Sequence, residues 1–546
     1  MKVEQSMETI CQMEIICQQH RLLSEDDGVI RVPFLVKGRL VTPPQLSRAQ
    51  VEAAFAGVGA DAGYVQVPQA QLLREPVIDP HTLRYTGEYQ YQVLPALDPL
   101  ELIEMDFERL QRGPYALRVA DILEFLERVS AQLQAGWSVL DRVRELSART
   151  SLHPQPYLDG AFAGLLAGLD TQAGQEMIDR ELAAWGLPGS RFLDGWVEVP
   201  GQIIPGLVPI LAQGLPGGEI AAAQPQAKTL LRAMPTRQLH ITAGNAPQVP
   251  LISALRLILT KSAGVVKFPF EATLPGALLS LAAYAAAPDH PLTQNLSAVY
   301  WQGGDERIEN ILLMPGAFDR VVVWGAPQAV ASVQSRALYT RVVAFNPRYG
   351  VSLIGREAYD GDLAEVAFLG AMDAMIYNQK ACNASQVHYI EGSYEQACDY
   401  ANRLRDILAQ WDQVAPQFLP PAVRGQLKRL RRGKYSRAEW LLNLPQGEFT
   451  SGVVVMAEEF DILDHPMCRL VVVRPVERLE DALQYLHAGV SMAGVYPESR
   501  REALRDAIAA RGVSSIYPLG QCERVFPGFP QDGMFVLSEL VDWKNG

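Results

Sequence analysis

The chain is short of positive charge: 48 lysines and arginines face 61 aspartates and glutamates, a formal net charge of −13 over 546 residues. Nucleic-acid and anionic-membrane binders present a positive footprint, so neither is expected as the main ligand. Cysteine is sparse as well. Cys11, Cys17, Cys382, Cys398, Cys468 and Cys522 form no CxxC pair and no dense framework, which excludes a disulfide-stapled fold and suits a reducing compartment. No apolar run reaches the roughly 20 residues that a membrane-spanning helix needs. The most apolar stretch, PGALLSLAAYAAAP from Pro275 to Pro288, is closed by prolines and reads as a buried helix. The opening MKVEQSMETICQMEIICQQH mixes glutamates into its apolar run with no basic segment ahead of it. It does not read as a secretory leader, and a cytoplasmic location is the expectation. Internal repeats, low-complexity tracts and a GxGxxG after a strand are all missing.

What remains is the composition of an ordinary globular protein, 48% hydrophobic and 20% charged, in a chain too long for one core. VIRVPFLVKGRLV, Val29 to Val41, reads as a hairpin turning at Lys37-Gly38. Between Leu100 and Leu146 apolar residues recur at helical spacing. From Trp196 the texture changes to short β-rich runs alternating with apolar helices, the pattern of a parallel sheet with crossover helices. After Cys382 the pattern repeats, with a helix from Tyr394 to Trp411, the strand-like CRLVVVRPV, a helix in ERLEDALQYLHAG and the run SMAGVYP. The division expected is 1–195 for an N-terminal hairpin and helical region, 196–375 for a dinucleotide-binding α/β domain, 376–510 for a cysteine-bearing α/β domain, and 511–546 for a segment packing back on the core or at an oligomer interface. Two such domains create a cleft where ligands bind.

One cysteine stands apart. Residues 377–389 read YNQKACNASQVHY, with Cys382 among small and polar neighbours ahead of a strand-like run. A cysteine kept for chemistry needs an approachable sulfur and surroundings that favour its thiolate. Thiolates attack carbonyls well and leave well, so Cys382 is the candidate nucleophile; on composition alone, a buried inert cysteine is the alternative. Asn245, in ITAGNAP, stands where its amide either donates into a cleft or caps a Gly-Asn turn. Lys267 ends the run GVVK, and a cation at the carboxyl end of a parallel strand faces the dinucleotide crevice unless it is merely solvated. VVVWGAPQAVASVQ supplies a strand, Gly325 and a helix with Pro327 in its first turn; free N–H groups there suit an anion, though the same order is ordinary α/β punctuation.

Three segments carry a resemblance: LHITAGNAPQVPLISALRLILTKSAGVVKFP, the stretch from DRVVVWGAPQAV to NQKACNASQV, and QDGMFVLSELVDW. In this order, across residues 238–543, they resemble the aldehyde dehydrogenase superfamily and, within it, the acyl-CoA reductases similar to the fatty acid reductase of bacterial bioluminescence. The resemblance implies an α/β fold of two doubly wound domains with the catalytic cleft between them, plus an N-terminal α+β region. It implies Cys382 as nucleophile and Asn245, with the backbone N–H of the cysteine, as the oxyanion hole, a donor worth about 3 kcal/mol. Thr242, Ala243, Lys267 and Gly325 become cofactor-binding positions. NADPH is the implied cofactor, with NADH as the alternative. A long-chain acyl-CoA or acyl-carrier thioester is the implied substrate, an acyl-donor protein a candidate partner, and a homo-oligomer the implied assembly. The chain departs from the family pattern where Phe268 separates Lys267 from Pro269, where Val330 replaces a second glycine, and where two residues separate Gln379 from Cys382.

Aldehyde-oxidising relatives carry a water-activating glutamate in a Glu-Leu-Gly-Gly segment. The corresponding stretch, VVAFNPRYGVSLIG, has no acidic residue from Val342 to Gly355. Without a general base, hydrolysis of an acyl-enzyme slows by roughly 10²- to 10⁴-fold, and the intermediate survives for reduction to the aldehyde. An NAD(P)H-dependent acyl-thioester reductase is therefore the expected activity, against an aldehyde dehydrogenase or a redox-inactive acyltransferase or scaffold. Three features stay open: His388 as a thiol-protonating or a structural group, Asp464 beside His465 as a stand-in for a cofactor-ribose carboxylate, and the basic run Arg424 to Arg437 as a docking patch or a solvated face.

Overall fold

The computed structural model describes residues 11–25, 27–59, 62–135, 137–202, 226–524 and 526–546. Two seven-stranded sheets carry the architecture. In the first, the strands Arg341–Phe345, Arg320–Trp324, Arg237–Ile241, Ala263–Lys267 and Leu296–Val299 lie side by side in that order, all parallel. Runs such as VVV in Arg320–Trp324 are buried because helices cover a parallel sheet on both faces. The helix Thr273–Ala286 is one such cover, buried from Thr273 to Ala283, which accounts for its almost unbroken apolar sequence.

The N-terminal hairpin completes this sheet. Phe34–Val36 and Arg39–Val41 pair antiparallel, and Leu35 pairs with Ala298, so a segment far away in sequence adds its edge. Lys37 and Gly38 turn the hairpin with φ of 44° and 75°, the left-handed pair whose twist matches the strands. The helices Val119–Ala135 and Trp137–Ala148 follow, and Ile122, Phe125, Leu126, Val129 and Leu133 form the stripe that the first enters into the core.

The second sheet runs Glu439–Asn443, Ser451–Val455, Leu470–Val476, Ser385–Glu391, Tyr349–Ile354, Val490–Tyr496 and Ser515–Pro518, parallel except for its first pair. Two sequence expectations change here. Tyr349–Ile354, grouped by sequence with the strands before it, pairs instead between Ser385–Glu391 and Val490–Tyr496, so the chain crosses between sheets just after Phe345. The segment expected as a helix after Val476 is a 3₁₀ turn, Leu479–Tyr485, because it buries only Leu479 and Ala482, an i,i+3 spacing that suits three residues per turn.

The chain then returns to the first half of the molecule. Asp542–Asn545 pairs antiparallel with Gln226–Met234, which also pairs with Val197–Gln202. Arg320 Nη2 donates to Val541 O at 2.9 Å and Thr236 Oγ1 to Leu540 O at 2.6 Å, tying this last segment to the first sheet. Among the described residues no helix is long and apolar enough to cross a membrane.

Candidate active site

Three adjacent parallel strands end together. Arg237–Ile241 runs into Thr242, Ala243 and Asn245; Ala263–Lys267 ends on Lys267; Arg320–Trp324 ends before Gly325. The carboxyl edge of the first sheet thus gathers every cofactor position named from sequence, as a doubly wound sheet does. Thr242 spends its hydroxyl locally, donating to Lys267 O at 2.6 Å and so locking two strand ends together. Lys267 is buried over the Tyr300 and Trp301 rings, 5.5 and 5.8 Å from their centroids, and burial holds its ammonium down to about 8. After Gly325 the helix Pro327–Arg336 begins at Ala326 with no side-chain cap, leaving its first N–H groups available.

Cys382 lies in the loop ahead of Ser385–Glu391, as its sequence context predicts. Three residues before that loop, Tyr377, Asn378 and Gln379, have φ of 47°, 54° and 65°. Left-handed backbone costs non-glycine residues about 1–2 kcal/mol each, so the surroundings must impose it. They do so through a second left-handed triplet, Met467, Cys468 and Arg469, with φ of 58°, 56° and 64°. Cys468 N donates to Asn378 O at 3.1 Å, and Gln379 bonds Leu470 through both halves of its amide, 2.9 and 3.0 Å. The fully buried Arg469 reaches Asn378 Oδ1 and Asp412 Oδ1, both at 2.8 Å, and Ala415 O at 2.6 Å.

The two halves of the predicted machinery meet here. Asn245 Nδ2 donates to Lys380 O at 3.2 Å, placing the asparagine beside the cysteine loop across the junction of the two sheets. His153 Nε2 donates to Asn245 O at 3.0 Å, fixing the backbone that carries this amide. On the far side, Ser491 Oγ bonds Cys382 O and Tyr349 O. Gly350 lets the strand Tyr349–Ile354 come this close: a Cβ there would lie 2.5 Å from Asn383 O.

The electrostatics of the sulfur differ from the sequence expectation of a thiolate-favouring site. Burial first and the Asp532 carboxylate second push the Cys382 thiol up to about 11, opposed by a backbone hydrogen bond at Cys382 itself and then by Arg348. Cys382 is therefore a protonated thiol at neutral pH, because a thiolate away from water is poorly stabilised. Asp532 arrives from the C-terminal segment, a relationship that no local motif announces.

The strand Arg341–Phe345 ends in Phe345, stacked on Trp324 at 3.7 Å and 12°. Arg256 covers both rings at 5.6 and 5.8 Å. His388 turns away from the cleft: it is wholly buried, bonded to Tyr400 OH at 2.9 Å, and burial depresses it to about 3. Asp464 is committed to Lys434 at 2.7 Å and Tyr435 OH at 2.9 Å, and His465 Nδ1 accepts Met467 N, so neither takes the place of the missing ribose carboxylate. The basic run forms the helix Pro421–Arg432 and a turn, with Leu427 and Leu430 inward and Arg424 paired to Glu448.

A family model described as acyl-CoA reductase (LuxC) matches residues 223–543. The long-chain acyl-protein thioester reductase of Vibrio harveyi is 27% identical over 325 residues, covering 58% of this chain and 65% of the relative. That of Aliivibrio fischeri is 24% identical over 340 residues, 62% of this chain and 67% of the relative. The chain thus spans about 65% of the length of the first of these. Two solved structures share the fold: an NADP-dependent glyceraldehyde-3-phosphate dehydrogenase from Bacillus halodurans C-125, complexed with NADP, has a TM-score of 0.66 at 14% identity, covering 95% of this chain and 99% of its own. Lactaldehyde dehydrogenase from Escherichia coli has a TM-score of 0.63 at 14% identity, covering 94% and 98%. The fold is that of the aldehyde dehydrogenases, and the chain belongs to the acyl-CoA reductase (LuxC) family.

Proposed function

We propose that the protein reduces an acyl thioester to the aldehyde through an acyl group held on Cys382. The observation that carries this reading is the meeting of the cysteine loop with Asn245 through the bond to Lys380 O, at the carboxyl edge of the first sheet. Sulfur attack on the thioester carbonyl makes a tetrahedral oxyanion, and the Asn245 amide, with the backbone N–H of Cys382, is the donor pair assigned to it. Collapse expels the carrier thiol and leaves the acyl chain on Cys382. The Trp324–Phe345 stack offers no base to water at the strand end. After reduction of the acyl carbon, the same amide holds the second oxyanion until the C–S bond breaks and the aldehyde leaves.

The residues present fit a nicotinamide dinucleotide: a buried lysine at a strand end, and beyond Gly325 an uncapped helix N-terminus suited to a pyrophosphate. When bound, this cofactor supplies the hydride. NADPH is the form proposed. The names of the relatives support a long-chain acyl group carried on a protein.

The test is mass spectrometry of the intact protein after incubation with tetradecanoyl-CoA and no reductant. The expected result is one acyl mass on Cys382, discharged as tetradecanal when NADPH is added. A Cys382→Ser variant that still forms aldehyde, or label on another residue, overturns the reading.

A further inference from the structure

Asn245 stands outside regular structure, in the loop between the strand Arg237–Ile241 and the helix Val249–Leu259. No sheet ladder fixes the peptide that carries its amide. Among the described residues its hydrogen bonds are two: Nδ2 donates to Lys380 O at 3.2 Å, and its carbonyl accepts from His153 Nε2 at 3.0 Å. His153 belongs to the N-terminal region, just ahead of the helix Gln155–Gly168. The same imidazole meets the other half of the site: its ring stands edge-on to Tyr377, 5.5 Å between centroids and 83° between planes. One turn further along, Tyr157 stacks on Tyr377 at 6.0 Å and 30°, and its hydroxyl donates to Met375 O at 2.5 Å. A turn beyond that, Ala161 enters one buried cluster with Ala246, which follows Asn245, and Ala384, in the cysteine loop.

We propose that the segment from His153 to Ala161 is a clamp across the two halves of the site, with His153 the positioning residue that holds the Asn245 amide against the Cys382 loop. The inference rests on the acyl-enzyme reading above. A side-chain amide has two N–H groups; Lys380 O takes one and leaves the other for the oxyanion. The free N–H helps only if it already points at the place where charge develops, and a displacement of about 1 Å costs roughly 10²-fold in rate. The bond to Lys380 O fixes the amide end of Asn245, and the bond from His153 fixes its backbone end. Burial, and after it Lys380, depresses His153 to about 4, so the ring is neutral at neutral pH and carries one proton. A carbonyl only accepts, which puts that proton on Nε2 and makes His153 a steady donor.

The experiment measures two rates at Cys382 in the full chain: acyl transfer from saturating tetradecanoyl-CoA by quenched flow, and alkylation by iodoacetamide, which forms no oxyanion. His153→Phe keeps the ring against Tyr377 and removes the donor; His153→Gln keeps a donor of similar reach. Expected for His153→Phe is acyl transfer slowed at least about tenfold with alkylation unchanged, and for His153→Gln a rate restored towards the parent's. Added to Asn245→Ala, which has no amide left to position, His153→Phe is expected to slow acyl transfer by less than about twofold. Should His153→Phe not fold, His153→Asn, whose donor is too short to reach the carbonyl, takes its place. A loss below about tenfold in the single variant overturns the proposal, as does an equal fall of both rates or a full further loss on top of Asn245→Ala. Asn245→Ala acylating at the parent's rate removes the donor assignment and this inference together. A parent chain that accepts no acyl group on Cys382 fails the functional reading itself, before any variant is compared.

Discussion

Arg469 Nε donates a 2.8 Å hydrogen bond to Asn378 Oδ1, and through it one left-handed backbone triplet holds another in place ahead of Cys382. Replacing Asn378 by Ala leaves a buried guanidinium N–H without its partner and keeps the strained backbone, at a cost of about 3 kcal/mol. Replacing it by Gly loses the same bond but relieves the left-handed strain, recovering about 1 kcal/mol. Urea unfolding of the two variants measures this order. Equal stability would mean that the backbone at Asn378 is not strained.

Gly350 separates the second sheet from the cysteine loop by less than a side chain. A Cβ there would lie 2.5 Å from Asn383 O and 2.9 Å from Ala384 C, and backbone atoms have no rotamer to escape into. Gly350→Ala should cost about 1–3 kcal/mol by overpacking. Because the displaced atoms flank Cys382, acyl transfer should fall at least tenfold in protein that is still folded. Unchanged acyl transfer would show that the loop yields without moving the sulfur.

Lys267 offers a pH signature for nucleotide binding. Burial lowers its ammonium to about 8, so it is charged below that pH and loses charge above it. If its charge holds the nucleotide, NADPH affinity stays level from pH 6.5 to 7.5 and weakens above 8, approaching about tenfold per pH unit. Lys267→Met should bind weakly at every pH with no such limb. Fluorescence titration of NADPH across this range decides it, and a limb that survives in Lys267→Met assigns the titration elsewhere.

His388 makes a separate prediction about stability. Its folded value, about 3, lies below the ordinary 6.5, so its contribution is complete above pH 6.5 and is lost as pH falls towards 3. The destabilisation caused by His388→Gln should accordingly shrink by about 2 kcal/mol between pH 7.5 and pH 5. Comparing parent and variant cancels the other titrating groups. A difference that does not change with pH would mean that His388 is not held neutral by burial.

Much of the frame was legible in residues 238–543. The alternation of VV-rich runs with apolar helices marked the parallel sheets, and Lys37-Gly38 marked its hairpin, because both signals are local. Placing Cys382 in a loop before a strand and Asn245 between a strand and a helix needed only neighbouring residues. The ordering of Tyr349–Ile354 was not local: VSLIG reads the same in either sheet, and only pairing with Ser385–Glu391 and Val490–Tyr496 assigns it. The 3₁₀ turn after Val476 was misread because helical periodicity does not report how little of the segment is buried.

The sequence by itself determined the chemical alphabet of the candidate site: one cysteine in an approachable context, an asparagine and a lysine at strand ends, and no acid from Val342 to Gly355. Tertiary structure decided the protonation of that cysteine and the partners that restrain it. Burial and the approach of Asp532 raise the thiol, while Arg469 reaches across from another loop to hold Asn378. Desolvation and charge proximity depend on distances through space, and a chain that brings residue 532 to residue 382 sets those distances only when it folds.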